Sequence, residues 1–237
     1  MPDQKPGKTV HYRYKFKFPN GLEKSFEVVL DATTLELVTN PALPKPEWTK
    51  LQYHQCAKCP LGDDVTHCPV AVNLSSLVET FKDAISFQDI HVRVVTERRD
   101  FEAKTTLQEG LSSIIGIYMV TSNCPVMDQL RPNVRFHLPF ASEEEAIYRA
   151  VSMYLMRQYF RMRNGEEPDW ELKKLADVYR GVWDVNRGMT ERLAEASTKD
   201  ANVNAVIHLS TYGQTLDNFL EYCLQEIGYL FPPSNKP

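Results

Sequence analysis

Glycine is scarce in this chain, at 10 of 237 residues, and no Walker loop or GxGxxG turn occurs. Such loops cradle phosphates on bare backbone amides, so phosphoryl transfer and dinucleotide chemistry lack their usual scaffold. No nucleophile elbow and no HExxH helix is present either. The longest apolar stretches, such as Ile114–Val120, fall far short of the roughly twenty residues a membrane-spanning helix needs. Basic residues are in deficit, with a net charge of −4, which argues against a broad nucleic-acid-binding footprint. The opening Met-Pro-Asp-Gln-Lys-Pro-Gly-Lys has no apolar core of the secretory type. We therefore expect a cytoplasmic protein with reduced thiols, in which clustered cysteines read as metal ligands or redox groups.

What is present suffices for a full core, since 43% of residues are hydrophobic. The alternation in Val10–Phe18 predicts a half-buried strand, and Asn20-Gly21 predicts a hairpin to a return strand over Glu23–Leu30. Thr34–Val38 is expected as a third strand. Pro41, Pro44 and Pro46 mark a stiff linker. Apolar spacing predicts a helix from about Asn73 or Ser75 to Phe87, then a strand pair over Ile90–Thr96 and Phe101–Thr106. Leu107–Val120 is read as a buried helix. Ser142 and Glu145 form a capping box for a helix to about Arg163, apolar enough to be central to the core. Further helices are expected over Asp169–Ala196 and Asn202–Leu230, the last directing Leu216, Phe219, Leu220 and Cys223 inward. The fold class is thus α+β: an N-terminal antiparallel β-meander followed by a predominantly helical domain with a small additional strand pair. The divisions are a disordered tail at 1–8, the meander at 9–40, a linker at 41–52, a cysteine-rich α+β region at 53–140, a helical region at 141–231 and a tail at 232–237.

Four of the five cysteines share a local chemistry. Cys56 and Cys59 form a CxxC pair, Cys68 follows nine residues on, and Cys124 stands far off in a second Cys-Pro-Val turn. Each of Cys59, Cys68 and Cys124 precedes a proline, which removes a backbone donor and stiffens the turn. A thioredoxin-like dithiol would need the CxxC at a strand-to-helix junction, and none is predicted there. Cys56, Cys59, Cys68 and Cys124 therefore read as the ligands of a closed, four-thiolate structural Zn2+ site, with an iron–sulfur cluster as the alternative. His54 and His67 flank the segment and could each replace a thiolate.

The stretch Trp48–Leu61, with Cys56-Ala57-Lys58-Cys59-Pro60, and His67-Cys68-Pro69-Val70 with the residues to Leu74, resembles an uncharacterised bacterial family carrying this cysteine pattern. The resemblance continues through Cys124 and Arg131–Phe140, about the first two-thirds of the chain. It implies a bacterial origin and brings no established activity or functional residue.

Other polar groups are weaker candidates. Asp128, Arg131, Arg135 and His137 follow Cys124 and could line a ligand pocket, Arg for a carboxylate or phosphate and His as acid or base. Arg93, Arg98 and Arg99 are interleaved with acids and read as a salt-laced hairpin. Tyr12, Tyr14, Phe16 and Phe18 alternate with Arg13, Lys15 and Lys17, which suits RNA only if the aromatic face is exposed. The expected function is that of a metal-binding interaction or regulatory scaffold rather than an enzyme. Its expected partner is another protein or a second copy, with no membrane or nucleic acid. The alternative functions are an iron–sulfur redox or sensor protein, or an enzyme or binder of a small anionic ligand near Asp128–His137.

Overall fold

The computed structural model describes residues 8–38 and 44–232, without the side chains of 212–221 and 223. Strands β1 (Thr9–Lys17), β2 (Glu23–Asp31), β3 (Asp89–Val95) and β4 (Asp100–Thr106) form one antiparallel sheet in the order β2-β1-β3-β4. The expected meander and the additional strand pair are thus halves of a single sheet, joined where Tyr14 pairs with Val94 and Phe16 with Val92. The predicted third strand over Thr34–Val38 does not form. Leu35 takes a left-handed φ of 58°, and the segment contributes only an isolated bridge from Leu37 to Leu30.

The sheet's period-2 pattern decides its packing. Val10, Tyr12, Tyr14, Phe16 and Phe18 are all buried, with Val28, Leu30, Val92 and Val94 beside them. Each such side chain contributes roughly 1.5–3 kcal/mol by leaving water. Arg13, Lys15 and Lys17 face solvent. No exposed aromatic platform for bases is therefore left on β1.

Helices α1 (Pro69–Phe81), α2 (Leu107–Val120), α4 (Leu175–Ala196) and α5 (Ala201–Glu226) share the sheet's core. Helix α1 begins earlier than apolar spacing suggests because Cys68 is its N-cap and Pro69 supplies the preset first-turn φ. It ends at Phe81, leaving Phe87 exposed. Helix α2 carries a capping box between Thr106 and Glu109 and lies directly on β3. A Cβ at Gly110 would come within 2.8 Å of Val92 and 2.9 Å of Ile90, so only glycine permits that approach. Asp200, just before α5, accepts from the amide and hydroxyl of Ser86 and ties this helix to the loop after α1.

A 3-10 segment (Met127–Phe136) leads to α3 (Glu143–Arg163), which opens with the predicted Ser142–Glu145 box. Helix α3 is not the central element its composition implied. It buries Ile147, Ala150, Val151 and Tyr154 in a second, smaller cluster with Leu172, Leu175 and Tyr179, while Met156 and Phe160 are exposed. Helix α4 starts six residues later than Asp169. The Asp169 carboxylate instead accepts the amides of Lys173 and Lys174 and the hydroxyl of Tyr154, closing a turn in which Leu172 has a φ of 61°. Leu216, Phe219, Leu220 and Cys223 fall outside the described side chains. Residues 1–7, 39–43 and 233–237, from the predicted tails, the end of the meander and the linker, also fall outside the described residues. No helix among those described is long and apolar enough to cross a membrane.

Candidate metal centre

The cysteine loop is pinched off by backbone pairing. Leu51 N–H donates to Thr66 O at 2.9 Å and Cys68 N–H to Thr49 O at 2.8 Å, beside a bridge between Lys50 and His67. Residues 52–65 therefore form a lobe whose two ends are fixed. Within it, a turn from Cys59 N–H to Cys56 O at 3.0 Å brings the CxxC thiols to one side.

Cys68 and Cys124 are held by the same local device. The backbone amides of Ala71 and Val70 favour the anionic form of Cys68, and those of Met127 and Val126 the anionic form of Cys124. In both turns the proline next to cysteine has no amide to offer, so these amides come from the second and third residues on. Both sulfurs thus face the exposed amides of a helical start, where negative charge is favoured. Asn123, immediately before Cys124, has a φ of 64°, and His54, two residues before Cys56, has one of 45°. Left-handed backbone at non-glycine residues is costly and concentrates at functional sites.

The four thiols are near enough to interact electrostatically. Burial first, and then Cys68, Cys59 and Cys124, together push Cys56 up to about 12. Burial likewise raises Cys68 and Cys124 against the pull of these backbone amides. All four cysteines are free thiols, two of them buried and two half-buried. Helix α4 forms the wall behind them. A Cβ at Gly188 would stand 3.1 Å from Cys56 Sγ and 3.2 Å from the His54 carbonyl, so glycine there makes room for the lobe.

One turn further along α4 lies Arg192, only 1% exposed. Its guanidinium donates to the carbonyls of Trp48, Lys50 and Leu51 at 2.7, 2.7 and 2.8 Å. It makes no ion pair among the described residues, and its Nε has no hydrogen-bond partner there. The anionic forms of Cys56 and Cys68 are the ones its charge favours. A buried cation without a carboxylate is costly, and thiolates are the acidic groups placed to offset it. Sequence reasoning missed both Gly188 and Arg192, because neither lies in a motif.

Among the described residues, no three His, Cys, Asp or Glu side chains are gathered tightly enough to hold a metal ion. The thiols are neighbours that do not yet converge on one point. The residues present still fit a soft-ligand site in kind: four thiols, backbone amides that favour the anionic form of two of them, and a guanidinium close by. The histidines are engaged elsewhere. His54 pairs with Glu191 at 3.3 Å and Glu195 at 2.7 Å, and His67 Nδ1 shares a hydrogen bond of 3.0 Å with Thr49.

Asp128, Arg131, Arg135 and His137 do not form one cleft. Arg131 braces the Cys124 turn through Asn123 Oδ1 at 2.7 Å, and it also pairs with Asp128 and Glu36. Arg135 is exposed. His137 turns the other way, into a cavity of about 370 Å3 between α2 and α3, and shares a 2.6 Å hydrogen bond with the Tyr14 hydroxyl. Arg93 is paired with Asp100 and Glu102 at 2.5 and 3.2 Å, as a solvated hairpin requires.

Burial, and after it the Arg149 guanidinium, hold the His137 ring down to about 3, against an ordinary 6.5. The unfolded chain takes up this proton near 6.5, whereas the folded protein refuses it until about 3. The unfolded state binds more protons through that window, so stability falls as pH drops from 6.5 toward 3. His137→Gln keeps an acceptor and cannot titrate. It is expected to flatten the acid limb of stability by at most about 1.4 kcal/mol per pH unit. Urea unfolding at several pH values checks this, and parallel profiles for both proteins would contradict it.

A family model described as Domain of unknown function (DUF6901) matches residues 10–232, and the chain belongs to that family. The match extends past the first two-thirds covered by the resemblance seen in the sequence. No curated protein and no solved structure matches the chain.

Proposed function

We propose that this is a metal-binding protein in which the thiolates of Cys56, Cys59, Cys68 and Cys124 hold one zinc ion as a structural joint. The observation that carries the reading is the grouping of four mutually interacting thiols beside a buried, carboxylate-free guanidinium on α4. Each thiol makes ionisation of the next harder, and a single cation cannot offset four thiolates. A bound dication would supply the missing charge and turn the raised thiols into ligands. Arg192 would then lower the residual negative charge of a four-thiolate centre. Such a joint would fasten the 52–65 lobe, the start of α1 and the end of α2 to one point against α4.

The test is metal analysis with a visible spectrum on anaerobically purified protein. One zinc per chain and no colour is the expected result. Iron with sulfide and absorption near 400 nm, roughly where thiolate-bound clusters absorb, would replace zinc by a cluster. Metal-free protein that takes up neither would sink the proposal.

A partner-binding role completes the reading, favoured by Tyr148, Met156, Tyr159 and Phe160 exposed along α3. We take the partner to be a second copy. Light scattering after size exclusion should then show a dimer that Met156→Glu converts to monomer, and a monomeric parent protein would remove this part.

A further inference from the structure

The cavity between α2 and α3 is walled by residues of both hydrophobic clusters, among them Ile117 and Val182 of the main one and Tyr179 of the smaller. It separates the main core, which α2 and α4 serve, from the smaller one that α3 builds. At about 370 Å3 it falls within the roughly 300–1,000 Å3 typical of small-molecule sites. Its walls are largely aliphatic, from Ile117, Val182 and Leu209 among others, and Gly116 keeps the α2 side open.

The polar groups in it are few. Arg149, from α3, enters beside Tyr179 and His137. It donates to the Asn133 carbonyl at 3.0 Å and makes no ion pair among the described residues. The nearest acid to influence it, Glu145, spends its carboxylate on the Ser142 amide. Burial makes that guanidinium harder to keep charged, yet arginine stays protonated in proteins, so an anion is what the position lacks. His137 is neutral and does not compete for it. On α4, Asn186 is 1% exposed and lines the same cavity, and its Oδ1 has no hydrogen-bond partner among the described residues. An unmet buried acceptor costs about 1–3 kcal/mol, and a donor from a ligand would satisfy it. Tyr179, Val182 and Asn186 follow one face of α4, and seven residues of helix separate the first from the last by about 10 Å. Glu109 and His208 also line the cavity, 4.0 Å apart, with Glu109 bonded to Thr105 and Thr106. Its carboxylate repels an anion, which places the anionic end of a ligand at Arg149.

The geometry points to a binding site for a small amphipathic carboxylate: the carboxylate on Arg149, an apolar body along Val182 and Ile117, and a hydroxyl or N–H donor reaching Asn186 Oδ1. This inference is independent of the cysteine centre, and its test reads a different signal.

Octanoate, its ω-hydroxy derivative and octanol serve as probes in calorimetric titrations of the full-length protein. Saturable binding of one acid per chain is expected, with the hydroxy acid tightest and octanol weaker by about tenfold or more. Arg149→Met should bring octanoate down to the level of octanol without affecting octanol. Asn186→Leu should bring the hydroxy acid down to the level of octanoate. No saturable binding of either acid at millimolar concentration would overturn the assignment, as would octanol binding as tightly as the acids. Should Arg149→Met fail to fold, the comparison of acid with alcohol on the parent protein decides the same question.

Discussion

A Cys124→Ser protein is expected to lose its metal and to melt where the chelated parent protein melts. Cys124 is the one candidate ligand outside the 52–68 segment, so its loss would open the proposed site between α2 and the lobe. Without metal, exchanging one buried thiol for a hydroxyl removes little packing. Most of the effect therefore lies in lost binding energy, which the folded state alone enjoys. Free zinc at a thousandfold excess over its dissociation constant would stabilise the fold by about 4 kcal/mol. For a chain of this size that is on the order of ten degrees in melting temperature. Differential scanning calorimetry of parent and variant, each with and without chelator, checks all four corners. The variant should ignore the chelator. A parent protein indifferent to chelator, or a variant that keeps one zinc, would falsify the structural role.

The thiols also give a pH signature in the metal-free protein. Cys56 is raised from 9.0 to about 12 in the fold. Above pH 9 the unfolded chain releases this proton while the folded protein holds it, so stability declines as pH rises through that window. Bound metal removes the proton at every pH of interest and should abolish the decline.

Arg192→Met is expected to be the most damaging single substitution away from the cysteines, costing about 1–3 kcal/mol for each buried carbonyl left without a donor. Methionine fills the aliphatic part of the site, so packing is largely kept. What is lost is the three bonds to Trp48, Lys50 and Leu51, which leaves the Leu51 carbonyl buried without its donor. Zinc affinity should fall as well, by about 10–100-fold, the range seen when groups that orient metal ligands are removed. Arg192→Lys separates the two effects. It keeps the charge but cannot reach three carbonyls with one planar fork, so affinity should recover more than stability does. Chemical denaturation and competition with a chromogenic chelator read these separately. If Met and Lys variants bind zinc like the parent, the guanidinium has no electrostatic part in the site.

Local signals carried much of the architecture. The β1–β2 hairpin, the β3–β4 pair, α2 and the Ser142 cap were legible because alternation, Asn-Gly, an apolar run and a capping box act over a few residues. Apolar spacing misplaces the start of α1, although Cys68-Pro69 is itself a start signal, because a cysteine in a metal-ligand pattern does not read as a helix cap. The early start expected of α4 has a comparable cause: the Asp169 turn imitates a helix cap, and its own hydrogen bonds close it before α4 begins.

Sequence alone determined the chemical inventory: four of the five cysteines in one pattern, three of them stiffened by a following proline, and a β1 strand with one apolar and one charged face. Tertiary structure alone decided that Gly188 and Arg192 back the thiols, that Arg131 braces a turn while His137 faces a cavity, and that α3 leaves part of its apolar surface exposed. Local pattern reports the conformation and faces of a segment, because those depend on its own residues. The partner met by each face is set by contacts among residues more than a hundred positions apart, as between Leu51 and Arg192, and no local rule encodes them.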